Sequence, residues 1–184
     1  MTPTTKLIPT GSQTVGPYFR IGLEELIHQA PQETSSEALT IHGRVLDRDG
    51  APVPDAMLEF WSAADAGDDP ARDAGHPAGF RRAATDDQGS FSVTLRRPVA
   101  MPFGDGTMQA PHLLVLVFTR GLLRHLISRV YFADEAGNAS DAVLHAVPAE
   151  RRGTLTAQPD ALAAHAYHWN VVLQGQDETV FFAW

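Results

Sequence analysis

Among the residues that could do chemistry the sequence offers eight histidines and no cysteine. That excludes disulfides, thiolate metal ligands and a cysteine nucleophile. Of the eight histidines, no two sit at the H-E-x-x-H spacing that puts a pair of imidazoles on one helix face. His165 and His168 are three apart, which in a strand sends them to opposite faces. His28, His42, His76 and His145 lie in polar or turn-rich surroundings and read as surface or hydrogen-bonded histidines.

His112 is different, because it follows Pro111 and opens the apolar run Leu113–Phe118. A metal ligand or a general base could sit there, and so could a half-buried histidine satisfied by backbone. A two-histidine site needs its partner at position 114, on the same face of the strand, and Leu114 occupies it. No Gly-x-Ser-x-Gly elbow occurs, and Gly104-Asp-Gly106 lacks the third glycine and following helix of a dinucleotide fingerprint. The carboxylates are scattered through turns. At the far end of the apolar run, Arg120-Gly121 marks a turn, where an arginine is ordinarily a solvated charge.

The elements that must position these residues are short. At 184 residues the chain fits one domain, a size that buries roughly 70% of its unfolded surface without metal or disulfide staples. A formal charge of −8 argues against nucleic acid or an anionic membrane as partner. The N-terminus lacks the apolar core of a signal peptide, so a cytoplasmic protein is expected. Residues 10–23 show no helical or strand period and are expected to form an extended arm bent at Gly16-Pro17, with one helical turn at Glu24–Gln29.

From Leu39 a period of two sets in, with Ile41, Gly43 and Val45 on one face. Asp49-Gly50 signals a turn, Met57–Trp61 the next strand, and Ser62–Gly79 a long loop. Phe80–Thr85 and Ser90–Leu95 around Asp86–Gly89 predict a hairpin. Arg96–Ala110 reads as loop, and two strands over Leu113–Phe118 and Leu123–Phe132 as the centre of the molecule. A short helix capped by Ser140, a last strand over Tyr167–Leu173 and an apolar tail at Val180–Trp184 complete the pattern. The expected fold is all-β, a β-sandwich of two mostly antiparallel sheets with long loops and an extended N-terminal arm. Residues 1–38 would be arm and connector, and 39–184 the domain.

Four segments, in order, resemble the intradiol ring-cleavage dioxygenases. They are Gly11-Ser-Gln-Thr-Val-Gly-Pro-Tyr18, and Gly43 to Trp61 with its Asp-Arg-Asp-Gly-Ala-Pro-Val-Pro-Asp turn. The others are Ala110-Pro-His112 through Phe118-Thr-Arg-Gly121 with Arg129–Phe132, and the ending Gly175–Phe182. The resemblance implies a family that uses Fe(III) held by two tyrosinates and two histidines, with the tyrosines in the loop after the Met57–Trp61 strand and in the loop before the buried strand. Here neither loop has a tyrosine, His112 matches the first histidine, and Leu114 replaces the second. A single imidazole holds Fe(III) weakly and leaves its charge uncompensated.

The resemblance therefore implies a partner chain that binds no metal itself, with no catalytic residue of its own. The Fe(III) would be ligated by an iron-binding β subunit of the same fold, within a higher-order α–β oligomer acting on a small aromatic substrate and O2. Carried over by motif, Thr14, Gly16 and Pro17 of the arm and Arg120 of Phe-Thr-Arg-Gly would reach the substrate pocket of that β chain. His112 would be a vestigial ligand position. The Arg120 guanidinium near that pocket would favour an anionic dihydroxybenzoate and offer charge-assisted donors. Gly16-Pro17 gives a stiff backbone with little side chain that can approach an aromatic ring. Three alternatives stand beside this reading: a metal-independent β-sandwich binding module, a metalloenzyme combining His112 with distant histidines, and a chain of the same family serving another catechol.

Overall fold

A computed structural model describes residues 9–29, 33–62, 77–104 and 106–183. Most of the expected Ser62–Gly79 loop, with His76, lies outside them, as does Trp184. Among the described residues, no helix is long and apolar enough to cross a membrane.

The chain begins with a helix, α1 (Gly16–Gln29), then strands β1 (Ala38–Leu46), β2 (Met57–Ser62), β3 (Phe80–Ala84) and β4 (Ser90–Arg96). A two-residue pair, β5 (Met101–Pro102) and β6 (Met108–Gln109), precedes β7 (His112–Phe118) and β8 (Leu126–Phe132). After a short helix α2 (Ala142–Ala146) come β9 (Thr156–Pro159), β10 (Ala166–His168) and β11 (Val171–Val172). Nine strands form one continuous sheet in the order β11-β1-β10-β9-β8-β7-β2-β3, with β4 also on β1. Strand β9 is the join: Thr156 and Ala157 run parallel to β8, and Gln158 and Pro159 pair antiparallel with β10. The protein is mostly β, in two sheet halves whose ladders are mainly antiparallel, as the alternating sequence pattern implies.

The two halves share one core. Leu39, Ile41, Val45, Phe91 and Val93 from one half meet Phe60, Leu113, Val115, Val117 and Phe132 from the other. Strand β7 lies between β2 and β8, and from Leu113 onward its residues alternate between full and partial burial. The face carrying Leu114, Leu116 and Phe118 is thus less covered than the face carrying Leu113, Val115 and Val117. Burying a side chain of that kind contributes roughly 1.5–3 kcal/mol, which accounts for the length of the apolar run.

Five expectations need correcting. The segment from Gly16 is helix rather than extended arm. Pro17 stands in its first turn, where the missing N–H has no intrahelical partner to lose, so the proline that suggested a bend instead starts the helix. Gly16 has φ +62°, a conformation that favours glycine and lets the chain turn into α1. The Phe80–Leu95 hairpin is instead a crossover. Its turn is real, with Asp86 Oδ1 accepting from the N–H groups of Gln88 and Ser90, but β3 pairs with β2 and β4 with β1. Turn chemistry fixes a reversal of direction without choosing the partners of the strands that leave it.

Third, the predicted loop Arg96–Ala110 contains the β5–β6 ribbon. Fourth, the cap of α2 is Asp141, not Ser140: its buried carboxylate accepts from Leu144 N–H at 2.8 Å and from Ala110 N–H at 2.8 Å. Fifth, the Tyr167–Leu173 strand breaks at Trp169-Asn170 into β10 and β11, both parallel to β1. At that break the Trp169 carbonyl oxygen lies 1.7 Å from where a Cβ on Gly43 would stand, so only glycine fits. Tyr167, Trp169 and Val171 nevertheless share one buried face, as the period of two requires. The apolar tail covers the edge of β8 that β9 leaves: Phe182 N–H donates to Ile127 C=O and Ser128 Oγ donates to Val180 C=O.

Candidate functional site

Between β7 and β8 the chain turns through Thr119, Arg120 and Gly121, and here the N-terminal segment docks. Gly121 N–H donates to Thr14 Oγ1 at 2.8 Å. Two residues on, Gly16 and Pro17 open α1, and Phe19 on its first turn packs against Phe118 at the end of β7 with ring centroids 5.1 Å apart. The fold thus gathers Thr14, Gly16, Pro17 and Arg120, the residues the motif pattern singled out, at one end of β7.

Asp55, whose φ of 62° sets it at a sharp bend before β2, stands between two guanidinium groups. Arg120 Nη2 lies 3.7 Å from its Oδ2 and Arg20 Nη1 lies 3.8 Å from its Oδ1. Arg20 is also 3.8 Å from Glu24, four residues along α1. These are loose pairs, and the Arg120 side chain is 56% exposed. An exposed pair of this kind is worth about 0–1 kcal/mol, so Asp55 does not lock Arg120 in place. Beside the turn opens a cleft of about 540 Å³, lined by Gln13, Val15, His125, Ile127 and Phe182 among others.

His112, at the other end of β7, is buried. Its Nδ1 is 2.8 Å from Ala110 C=O, and its ring lies over Tyr131 with centroids 5.4 Å apart. Burial holds the imidazole below its usual range, with nearby Arg129 adding to the effect, so it is neutral at neutral pH. Tyr131 OH donates to Asp141 Oδ1 at 3.2 Å and receives Arg129 Nη1 at 3.3 Å. Burial pushes that phenol up to about 12. The buried group around His112 is a closed hydrogen-bond network among Gln109, Arg129, Tyr131 and Asp141.

This donor set does not fit a ferric ion. The chain has three tyrosines; Tyr18 lies exposed on α1, Tyr167 OH is held by Asp134, and Tyr131 OH is engaged by Asp141 and Arg129. Leu114, one pleat from His112, offers no donor. Among the described residues, the one grouping of three or more metal-ligating side chains lies elsewhere, at His42, Asp160 and His168. Sequence reasoning missed it because its members are distant in the chain and come together only through the parallel β1–β10 register.

The chain belongs to the Dioxygenase family, whose model matches residues 16–175. Within it, the chain is 43% identical over 198 aligned residues to the protocatechuate 3,4-dioxygenase alpha chain of Burkholderia cepacia, covering 97% of this chain and 98% of that one. It is 27% identical over 161 residues to the beta chain of the same enzyme from that organism, covering 80% of this chain and 68% of that one. Among solved structures, it is similar to hydroxyquinol 1,2-dioxygenase from Pseudomonas putida DLL-E4, with a TM-score of 0.57 and 25% identity over 77% of this chain and 57% of that one.

Proposed function

We infer that this chain is the non-iron-binding α subunit of a protocatechuate 3,4-dioxygenase, working beside an iron-bearing β chain of like fold. The holoenzyme cleaves the ring of protocatechuate between its two hydroxylated carbons with O2, giving 3-carboxy-cis,cis-muconate. The observation that carries this reading is the donor set at the start of β7. A chain so similar to a named alpha chain keeps His112 but has Leu114 beside it, and the tyrosine against it, Tyr131, has its OH engaged by Asp141 and Arg129. The ring-opening chemistry of ferric iron belongs, in this reading, to the partner.

What this chain supplies is a pocket wall. Thr14 ties the arm to the Arg120–Gly121 turn, so that the arm, the Gly16-Pro17 backbone and the Arg120 guanidinium present one surface. The loose Asp55 pair leaves Arg120 free to turn toward the carboxylate of an anionic catechol, where charge-assisted bonds are stronger than the contact they replace. Gly16 has open space where a Cβ would stand, so an aromatic ring can lie close to the backbone there. The subunits build an α–β oligomer, and a cytoplasmic location goes with this reading.

Mixing the purified chain with a catalytic β chain tests the proposal. Co-elution, with oxygen uptake on protocatechuate far above that of either chain alone, is expected. Failure to associate with any such β chain would favour a binding module instead.

A further inference from the structure

We propose that His42, His168 and Asp160 form a binding site for a divalent transition-metal ion such as Zn2+ on the outer surface of this chain. The site is built by strand register. His42 on β1 and His168 on β10 are direct neighbours in a parallel ladder, so both imidazoles leave the same face of the sheet, with ring centroids 3.9 Å apart. Asp160 follows the end of β9 and is drawn back to β10 by its N–H, which donates to Ala166 C=O at 2.8 Å. One carboxylate oxygen, Oδ1, accepts Leu162 N–H at 2.7 Å, which fixes the group and leaves Oδ2 turned to the imidazoles. Led by that backbone bond, the surroundings hold Asp160 below the usual carboxylate range, and it is ionised at neutral pH.

The distances match a metal's demands. Asp160 Oδ2 is 3.3 Å from His42 Nε2 and 3.8 Å from His168 Nε2, and one donor atom from each residue lies within 4.8 Å of the others. Bonds of about 2.0–2.1 Å at a tetrahedral centre put neighbouring donors about 3.3 Å apart, the separation already present between Asp160 and His42, and the exposed His168 ring has to draw in toward them to close the site. Two imidazoles and one carboxylate are the ligands that Zn2+ and its first-row neighbours accept, with a remaining position open to water. A metal there would clamp β1, β10 and the end of β9, the seam between the two sheet halves.

Isothermal titration of the full chain with ZnCl2, paired with thermal unfolding, tests this. One equivalent of Zn2+ should bind and raise Tm, and Asp160→Asn and His168→Gln should each weaken binding more than about tenfold, since even losing an outer partner of a metal ligand costs about 10–100-fold. His145→Gln, an exposed histidine away from the triad, should change nothing. Both triad variants alter exposed or surface groups, and their unfolding curves without metal report whether they fold. Absence of stoichiometric binding, or equal affinity in the folded Asp160→Asn and His168→Gln proteins, would overturn the proposal.

Discussion

Thr14 Oγ1 accepts a 2.8 Å hydrogen bond from the backbone N–H of Gly121, 107 residues further along the chain. The bond joins the N-terminal segment to the turn that carries Arg120. Thr14→Val keeps the shape and removes the acceptor. It should cost about 0.5–1.5 kcal/mol, felt as easier release of the arm rather than as global unfolding. Hydrogen exchange should show faster exchange at Gly121 and in the first turns of α1, with β7 unchanged; equal protection at Gly121 would show that the bond does not hold the arm.

Arg120→Ala separates a structural role from a substrate role. Its pair with Asp55 is exposed and loose, so stability should change by about 0–1 kcal/mol. In the holoenzyme, kcat/KM for protocatechuate should fall by about 1.5–3 kcal/mol, the range for hydrogen bonds to charged groups. Steady-state kinetics on the assembled variant measure this, and unchanged kinetics would remove Arg120 from the pocket.

Gly43→Ala is expected to be among the most damaging single substitutions in the molecule. The new Cβ would fall 1.7 Å from the Trp169 carbonyl oxygen, and backbone, not a flexible side chain, would have to move. A loss above about 4 kcal/mol is expected, in the range reserved for severe structural conflicts. Chemical denaturation of the variant measures it, and a loss below about 1 kcal/mol would mean that β1 and the β10–β11 break part easily.

His112 gives a pH dependence. Its folded form is held neutral by burial, so the unfolded chain takes up a proton first as pH falls through about 6.5. The contribution is fully present above that value and is lost as pH drops toward the lower folded value. Wild type should therefore lose stability between pH 7.5 and pH 5 more steeply than His112→Gln, as read from urea midpoints. The variant holoenzyme should keep its turnover. Parallel pH profiles would show that burial does not hold His112 neutral, and an abolished reaction in a correctly assembled oligomer would contradict the reading of His112 as a vestigial ligand position.

Much of this was legible in the sequence, where local physics and tertiary demand agree. The apolar run at Leu113–Phe118 is the central strand, and Ile41, Gly43 and Val45 share the buried face their alternation implies. The misses have a common cause. Pro17 starts a helix because its context is a helix terminus, and the Asp86–Gly89 turn feeds two different sheet halves because β1 and β2 offer edges to β4 and β3. The His42–Asp160–His168 grouping was invisible because it exists only once β1 and β10 align. Arg120 could be singled out only through its motif; the structure adds that Thr14 docks on the turn beside it.

The central claim is that this chain holds none of the iron used for ring cleavage. Iron content and visible absorption of the purified full chain, expressed without a β partner in iron-supplemented medium, test it most directly. No stoichiometric Fe(III), no tyrosinate-to-iron charge-transfer colour and no turnover of protocatechuate are expected. Stoichiometric Fe(III) with that colour in the chain alone would contradict it.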